Sequence, residues 1–453
     1  MSSKKQPVGY LPDERPPIVE LIFFALQQIV VMFPATVLVA LITGFHVSTT
    51  IFASGLSTLC FILITGRKIP LYYGSSFSYI AAIASIMGAE QFSSLSLNDK
   101  ISIAQFGIVM SGFVSIIAGL LIKRTGQKTI DKILPPTVTG SIAIIIGLSL
   151  AKNAIENAAA VPEGFATPLG QNMAWVISLI TLFSTIIYSV YLKGRLSQLP
   201  ILFGLFTGYI AALIIGQVTG VPFVVFDTIQ SNSLISLPEF TLPKPSWAAV
   251  VAIMPIAIAT IPESTAHIYQ LDIYVNDLAK KKGSTKNYNI ADKLGLNLIG
   301  DGMGDIISGF IGGPAGTNYG ENISTMAISK VFSVPVLILA AILTMVISCF
   351  TPLINAVYSI PTAVIGGLSI YLYGVIGAQG IAIMMDRKVD MFNSKNLAII
   401  AIILVIGLGG SYGFSGNGMI PMFGVEFPAL ATAAIVGIVL NLLLSIGERS
   451  EEE

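Results

Sequence analysis

The sequence predicts an all-α polytopic membrane protein whose fourteen transmembrane segments form two inverted seven-span repeats. Three observations predict it: an apolar composition poor in charge, fourteen hydrophobic runs, and a motif recurring at the same place in each half. Of 453 residues, 54% are hydrophobic and 11% charged, against roughly 25% charged in soluble domains. So few charges cannot cover a soluble surface, which excludes a cytosolic enzyme. Lys and Arg number 24, balancing 24 Asp and Glu, so there is no basic footprint for nucleic acid. Cys60 and Cys349 both lie in apolar runs, which argues against a disulfide framework.

A membrane-crossing helix takes about 20 mostly apolar residues. Such runs lie near 19–43, 49–65, 71–88, 101–122, 135–151, 173–192, 199–218, 247–275, 292–312, 316–330, 333–352, 360–380, 396–410 and 427–446. Gln27 and Gln28 interrupt the first run, and no small-residue cleavage site follows it. It is therefore expected to be a retained helix and not a signal peptide. With the N-terminus inside, 21 of the 24 cations fall on the cytoplasmic side, and only Lys100, Lys152 and Lys244 fall outside. The positive-inside rule requires such a split, and adding or losing one span would scramble it. Both termini are then cytoplasmic, and 152–172, 219–246 and 411–426 are outward loops whose Gly, Pro and Asn suit solvated turns. His46, in a short outer loop, is expected to be solvated. The closing residues, 448–453, read as a solvated tail.

Two interrupted runs resemble each other: Tyr73-Gly74-Ser75-Ser76-Phe77-Ser78, continuing to Ala81, and Tyr319-Gly320-Glu321-Asn322-Ile323-Ser324, continuing to Ala327. Both fit Y-G-x-x-[FI]-S-x-x-A, and they fall in spans 3 and 10, the third of each half. Pro136-Thr137 and Pro361-Thr362 likewise open spans 5 and 12. Seven spans per half make the halves opposite in orientation, the inverted repeat common among transporters. Pro70 and Pro314 precede the motifs, so each segment is expected to be extended backbone followed by a half-helix. Non-helical backbone at membrane depth persists only where it lines a cavity or is buried in protein. Its free N–H groups and half-helix N-termini would face one central site, suited to carbonyl oxygens or an anion.

Acidic residues at bilayer depth cost about 2.5–3.5 kcal/mol each, so each needs a reason. Glu263 lies in Ile261-Pro262-Glu263-Ser264-Thr265-Ala266-His267, four residues from His267 and so on the same helix face. Glu321 sits in the broken segment after Gly320. Asp301 and Asp305 belong to Gly300-Asp301-Gly302-Met303-Gly304-Asp305, where glycines allow close helix contact. Asp301 is read as a partner of a site residue, Asp305 as structural. A Glu–His tie between helices is the plain alternative for Glu263, and a helix-capping carboxylate is the plain alternative for Glu321.

At these residues the sequence resembles the nucleobase–ascorbate transporter family, in its uracil branch. Thr317-Asn318-Tyr319-Gly320-Glu321-Asn322-Ile323, Tyr73-Gly74-Ser75-Ser76-Phe77 and Tyr371-Leu372-Tyr373-Gly374-Val375-Ile376-Gly377 carry the likeness, which runs from about 19 to 446. The resemblance implies a core domain of spans 1–4 and 8–11, a gate domain of spans 5–7 and 12–14, and short antiparallel strands in spans 3 and 10. By chain position, the first core segment occupies 1–151 and runs into gate span 5 at 135–151. The first gate segment is then 152–246, the second core segment is 247–352, and the second gate segment with the tail is 353–453. The resemblance also implies that Glu263 and Glu321 are the substrate-binding carboxyls, that Phe77 and Gly320 offer backbone N–H groups, and that His267 and Tyr319 are neighbours of the substrate. Ser76, Asn322, Asp301, Gln28 and Tyr373 are supporting candidates. Gln28 stands where many members have His, Ser324 replaces the signature Gly, and Ser329 replaces its Thr.

Uracil presents two N–H donors and two carbonyl acceptors, which two carboxyls and two backbone N–H groups would satisfy. The expected activity is uracil import by proton symport across the cytoplasmic membrane, with Glu263, Glu321 and His267 as the proton-coupling groups. The alternative is a purine permease for xanthine, hypoxanthine or urate, and more remotely a related anion exchanger, although paired carboxyls repel an anion. No cofactor or metal is expected, and the resemblance implies a homodimer through the gate domains.

Overall fold

The computed structural model describes residues 9–126, 132–225, 233–414, 418–422 and 425–448. Lys4, Lys5, Lys128 and Arg449 of the expected cytoplasmic set lie outside them, as do the tail from 449 onward and stretches of the loops 219–246 and 411–426. Helix α1 (Ile18–Thr43) ends where Gly44 takes a left-handed φ of 76° and its N–H bonds to the Ala40 carbonyl. This lets α2 (Val47–Ile64) run back beside it. The chain then extends into β1 (Tyr73–Ser75), a 3-10 turn at Phe77–Tyr79, and the short α3 (Ile80–Met87). Helix α4 (Leu97–Thr125) starts on Ser96, whose hydroxyl accepts from the Asp99 N–H.

Next come α5 (Pro136–Ser149), α6 (Ala151–Ala158), α7 (Pro168–Tyr191) and α8 (Pro200–Thr219). Three of these four begin on proline, whose missing N–H costs nothing at a helix start. The second half holds α9 (Trp247–Ile253), α10 (Ile256–Lys281), α11 (Leu294–Ile311), β2 (Gly316–Asn318), α12 (Gly320–Ser329) and α13 (Val334–Ile347). It closes with α14 (Thr351–Tyr358), α15 (Thr362–Asp386), α16 (Ser394–Gly413), the hairpin β3 (Met419–Met422) and β4 (Val425–Pro428), and α17 (Ala429–Glu448).

Among the described residues ten helical segments are long and apolar enough to cross a membrane, with Pro136–Ala158 and Trp247–Lys281 each counted once. Phe77–Met87 and Val334–Ile347 are shorter apolar helices. The difference from fourteen has a physical source. Helix α12 has only ten residues, and α11 carries two acids along its length. Large apolar side chains such as Val19, Phe183, Ile214 and Val218 are exposed on the outer helices, as lipid contact requires. The chain is a multi-pass membrane protein.

Close glycine contacts define the packing. A Cβ on Gly112 of α4 would lie 2.4 Å from the Gly302 carbonyl of α11, and one on Gly302 would lie 2.3 Å from the Gly112 carbonyl. Helices α2 and α13 meet similarly, with Gly55 against the Ala341 carbonyl, and α5 meets α15 through Gly140 and Gly380. Small residues let helix backbones approach where lipid gives no hydrophobic drive.

Two expectations need correction. Residues 151–158 form α6, with Ala154 and Ala158 buried, not a solvated turn. His46 is largely enclosed: its Nε2 lies 2.7 Å from Asn98 Oδ1 and 3.6 Å from Glu239 Oε2. Its partners come from segments distant in sequence, so local composition held no sign of them.

Candidate functional site

Strands β1 and β2 pair antiparallel, with Tyr73 opposite Asn318, Gly74 opposite Thr317 and Ser75 opposite Gly316. A two-strand, three-residue sheet is too small to hold itself. Side chains supply what is missing. Ser54 and Thr58 of α2 donate to the Tyr73 carbonyl, each at 2.9 Å, and Thr58 Oγ1 accepts from the Tyr73 N–H. The Ser76 N–H bonds to the Ala315 carbonyl and the Tyr319 N–H to the Tyr72 carbonyl, both at 2.9 Å.

The two motif tyrosines are used alike. The Tyr319 ring covers Gly74, where a Cβ would meet it at 2.4 Å, and the Tyr73 ring covers Gly316, where a Cβ would meet it at 2.3 Å. Tyr319 donates its hydroxyl to the Ser75 carbonyl at 2.9 Å and lies 3.0 Å from Thr36 Oγ1. Tyr73 donates to Asp305 Oδ1 at 2.5 Å, and the same oxygen accepts from the Gly316 N–H at 2.8 Å. One carboxylate oxygen thereby holds both strands. Tyr319 is 3% exposed, so its side chain braces the strands.

From this crossing the chain leaves in two directions. After β1, Ser76 caps the 3-10 turn with its side chain accepting from the Ser78 N–H. Phe77 follows, half-buried and packed where two apolar clusters meet. After β2, α12 opens with Gly320 and Glu321 in its first turn, where the helix dipole favours negative charge. Helix α10 runs past both. It contains Pro262, which removes one helical hydrogen bond immediately before Glu263.

The described geometry brings Glu263, His267, Gly320, Glu321 and Phe77 together. Glu321 acts electrostatically on Glu263, and the Ser78 hydroxyl is within hydrogen-bonding reach of it. A Cβ on Gly320 would lie 2.9 Å from His267 Nε2, and the ring is also within reach of the Asn318 backbone. All five residues are half-buried while Ser76, Ser78, Ser264, Asn318 and Asn322 beside them are buried.

The supporting residues sit behind this surface. Asp301 Oδ2 accepts from Ser264 at 2.7 Å, from Asn297 at 3.1 Å and from Asn318 at 3.2 Å. Asp301 is therefore tied to the residue after Glu263 and to the end of β2. Asn322 donates to the Gln28 carbonyl at 3.0 Å and to its Oε1 at 2.8 Å, joining α12 to α1. Tyr373 of α15 is buried, and its hydroxyl has no partner among the described residues. It shares an apolar cluster with Leu38 and Val39 of α1 and Ile80 of α3, and Phe77 packs against that cluster.

Sequence reasoning missed Ser78, Ser264, Asn297 and Asn318. The i, i+4 spacing of Asn297 and Asp301 was an available signal; the strand crossing that recruits Asn318 was not. Among the described residues no three His, Cys, Asp or Glu side chains gather as metal ligands.

The helical scaffold with its buried two-strand pairing is that of a polytopic membrane protein. Comparison with solved structures agrees: murine Slc26a9, an anion transporter solved in the inward-facing state, superposes with a TM-score of 0.66 at 12% identity, over 99% of this chain and 73% of that one. That likeness establishes the fold alone. The family model Xan_ur_permease, described as Permease family, matches residues 19–416. The uracil permease of Bacillus caldolyticus is 35% identical over 439 residues, 95% of this chain and 94% of the relative. That of Bacillus subtilis (strain 168) is 34% identical over 452 residues, 98% of this chain and 96% of the relative. The chain belongs to this permease family, and it is a transporter and not an enzyme.

Proposed function

We propose that this protein imports uracil across the cytoplasmic membrane by proton symport, with Glu263 and Glu321 binding the base. The observation that carries this reading is the meeting of two carboxyls from α10 and α12 beside a half-helix N-terminus. Such an arrangement answers a small ring with alternating donors and acceptors and leaves little buried and unpaired. The names of the similar permeases point to the same substrate. Phe77 and Gly320 contribute backbone N–H groups, and Tyr319, Asp301, Gln28, Asn322 and Ser76 hold the elements in place. Tyr373 approaches from α15.

The proposed cycle uses the division into core and gate that the resemblance implies. Helices α1–α4 and α9–α13 form the core, and α5–α8 and α15–α17 form the gate. The pairing of α4 with α11 is repeated by α13 with α2, the exchange expected if the seven-span halves are inverted copies. A proton from outside neutralises one carboxyl of the pair and relieves their repulsion, uracil binds, and the core slides against the gate to open inward. His267 relays or stabilises that proton. A proton driven through 100 mV supplies about 2.3 kcal/mol. Both termini are cytoplasmic in this scheme, and two copies pair through their gates.

The test is uptake of labelled uracil into proteoliposomes with an imposed pH gradient. Uptake driven by an acidic exterior, competed by uracil and not by xanthine, supports the reading. Uptake indifferent to the gradient defeats proton coupling, and competition by xanthine moves the assignment to the purine branch.

A further inference from the structure

At the membrane face that carries the N-terminus, five cations converge at one corner of the core. Arg67 and Lys68 follow α2, Lys123 and Arg124 lie in the last turn of α4, and Lys293 precedes α11. Packing fixes their proximity. A Cβ on Gly295, in the first turn of α11, would lie 3.0 Å from the Lys123 backbone nitrogen. A Cβ on Gly300 of α11 would lie 3.1 Å from Thr65 Cγ2 at the end of α2, just before Arg67 and Lys68. The turn after α2 holds Arg67 at a φ of 59°, a left-handed conformation that non-glycine residues seldom adopt.

Arg67, Lys68, Lys123 and Arg124 are exposed, and among the described residues none takes part in an ion pair. The nearby lysines of the α10–α11 link differ, since Lys282 and Lys286 pair with Glu14 and Asp13. Two acids face the corner. Asp272 Oδ1 already accepts from the N–H groups of Ile290 at 2.6 Å and Ala291 at 3.2 Å. Asp292 adjoins Lys293 in sequence. The corner therefore keeps a cationic excess.

The apolar surface continues directly from these charges. Leu63 lies in the last turn of α2, four residues before Arg67, and Leu120 and Leu121 lie three and two residues before Lys123 on α4. All three are exposed, at 51%, 53% and 57%. Cations at headgroup depth over lipid-facing leucines match both ends of one molecule.

We infer that this corner is a docking surface for an anionic phospholipid. Its phosphate is held by Arg67, Lys68, Lys123 and Arg124, and its acyl chains lie along Leu63, Leu120 and Leu121. Clamping the ends of α2, α4 and α11 from outside, the lipid stiffens the bundle whose strands and half-helices hold the site. The inference is independent of which substrate the site takes.

The experiment compares the purified protein in nanodiscs of phosphatidylcholine alone and of phosphatidylcholine mixed with phosphatidylglycerol. Retained lipid is counted by native mass spectrometry, and unfolding is followed by heating. The intact protein is expected to retain phosphatidylglycerol about 10-fold more readily than phosphatidylcholine and to melt higher in its presence. The variant Arg67→Gln, Lys68→Gln, Lys123→Gln, Arg124→Gln should lose both effects. Should that variant not fold, Arg124→Gln alone, with a salt titration of the intact protein, reads the same preference. Equal retention of the two lipids, an undiminished effect in the variants, or a full reproduction of the shift by inorganic phosphate in detergent would overturn the inference.

Discussion

Glu263 and Glu321 are expensive residues in an apolar bundle, and the sequence marked both, since acids in hydrophobic runs are few. The i, i+4 step from Glu263 to His267 was equally legible. Asn297 was legible too, one helical step from Asp301, but Ser264 of α10 and Asn318 of β2 are ordinary polar residues until tertiary packing brings them to Asp301. Two substitutions separate lining from bracing. Gly320→Ala places a methyl group 2.9 Å from His267 Nε2. It is expected to cut uracil uptake at least ~10-fold with little change in melting temperature, measured by initial rates and by thermal unfolding of the same preparation. Tyr319→Phe removes the hydroxyl donated to the Ser75 carbonyl and should cost about 1 kcal/mol of stability while leaving uracil affinity within a few-fold. Retained uptake in the first, or lost affinity in the second, would reverse those roles.

At the scale of elements, the hydrophobic runs located most helices because length and apolarity are what a bilayer demands. They were least informative at α11, α12 and α6, where buried acids, a short half-helix and a solvated-looking composition hide the packing. The recurring motif was visible as letters, yet its meaning is conformational: each Tyr ring covers the glycine of the opposite strand. The α4–α11 contact yields a direct prediction. Gly302→Leu forces a side chain into the Gly112 carbonyl, and overpacking of this kind costs roughly 1–3 kcal/mol or more, so the melting temperature should fall by several degrees. An unchanged melting temperature would mean the helices are not in contact there.

The segment before α1 offers a second prediction. Partial burial would raise the Asp13 carboxyl, but hydrogen bonds from Lys286 and Tyr288 outweigh it and hold the group below the usual carboxylate range. A depressed folded-state value gives stability that is present above the unfolded value of about 3.9 and is lost as pH falls through the folded one. Asp13 is half-exposed, so the contribution is at most about 1 kcal/mol. Asp13→Asn should therefore lower the melting temperature slightly at neutral pH and not at all near pH 2. An equal loss at both values would show that the ion pair contributes nothing.

For the whole molecule, the apolar cluster of Leu38 and Val39 with Ile365, Leu372 and Tyr373 joins α1 to α15, across the boundary proposed between core and gate. Relative movement in the proposed cycle must break it. With Cys60 and Cys349 replaced by Ser, cysteines at Val39 and Leu372 joined by a short cross-linker should arrest uptake, and reductive cleavage should restore it. Undiminished uptake after complete cross-linking would exclude sliding at this seam. Neither the seam nor the strand crossing was readable from the sequence without resemblance to relatives, because both depend on contacts between distant segments.

Uracil binding by Glu263 and Glu321 together is the central claim. Calorimetric binding of uracil to the purified protein, to Glu263→Gln and to Glu321→Gln tests it directly. Each variant should weaken binding roughly 10-fold or more, the loss of one hydrogen-bonding carboxyl from the base. Unchanged affinity in either variant, with the protein folded, would contradict it.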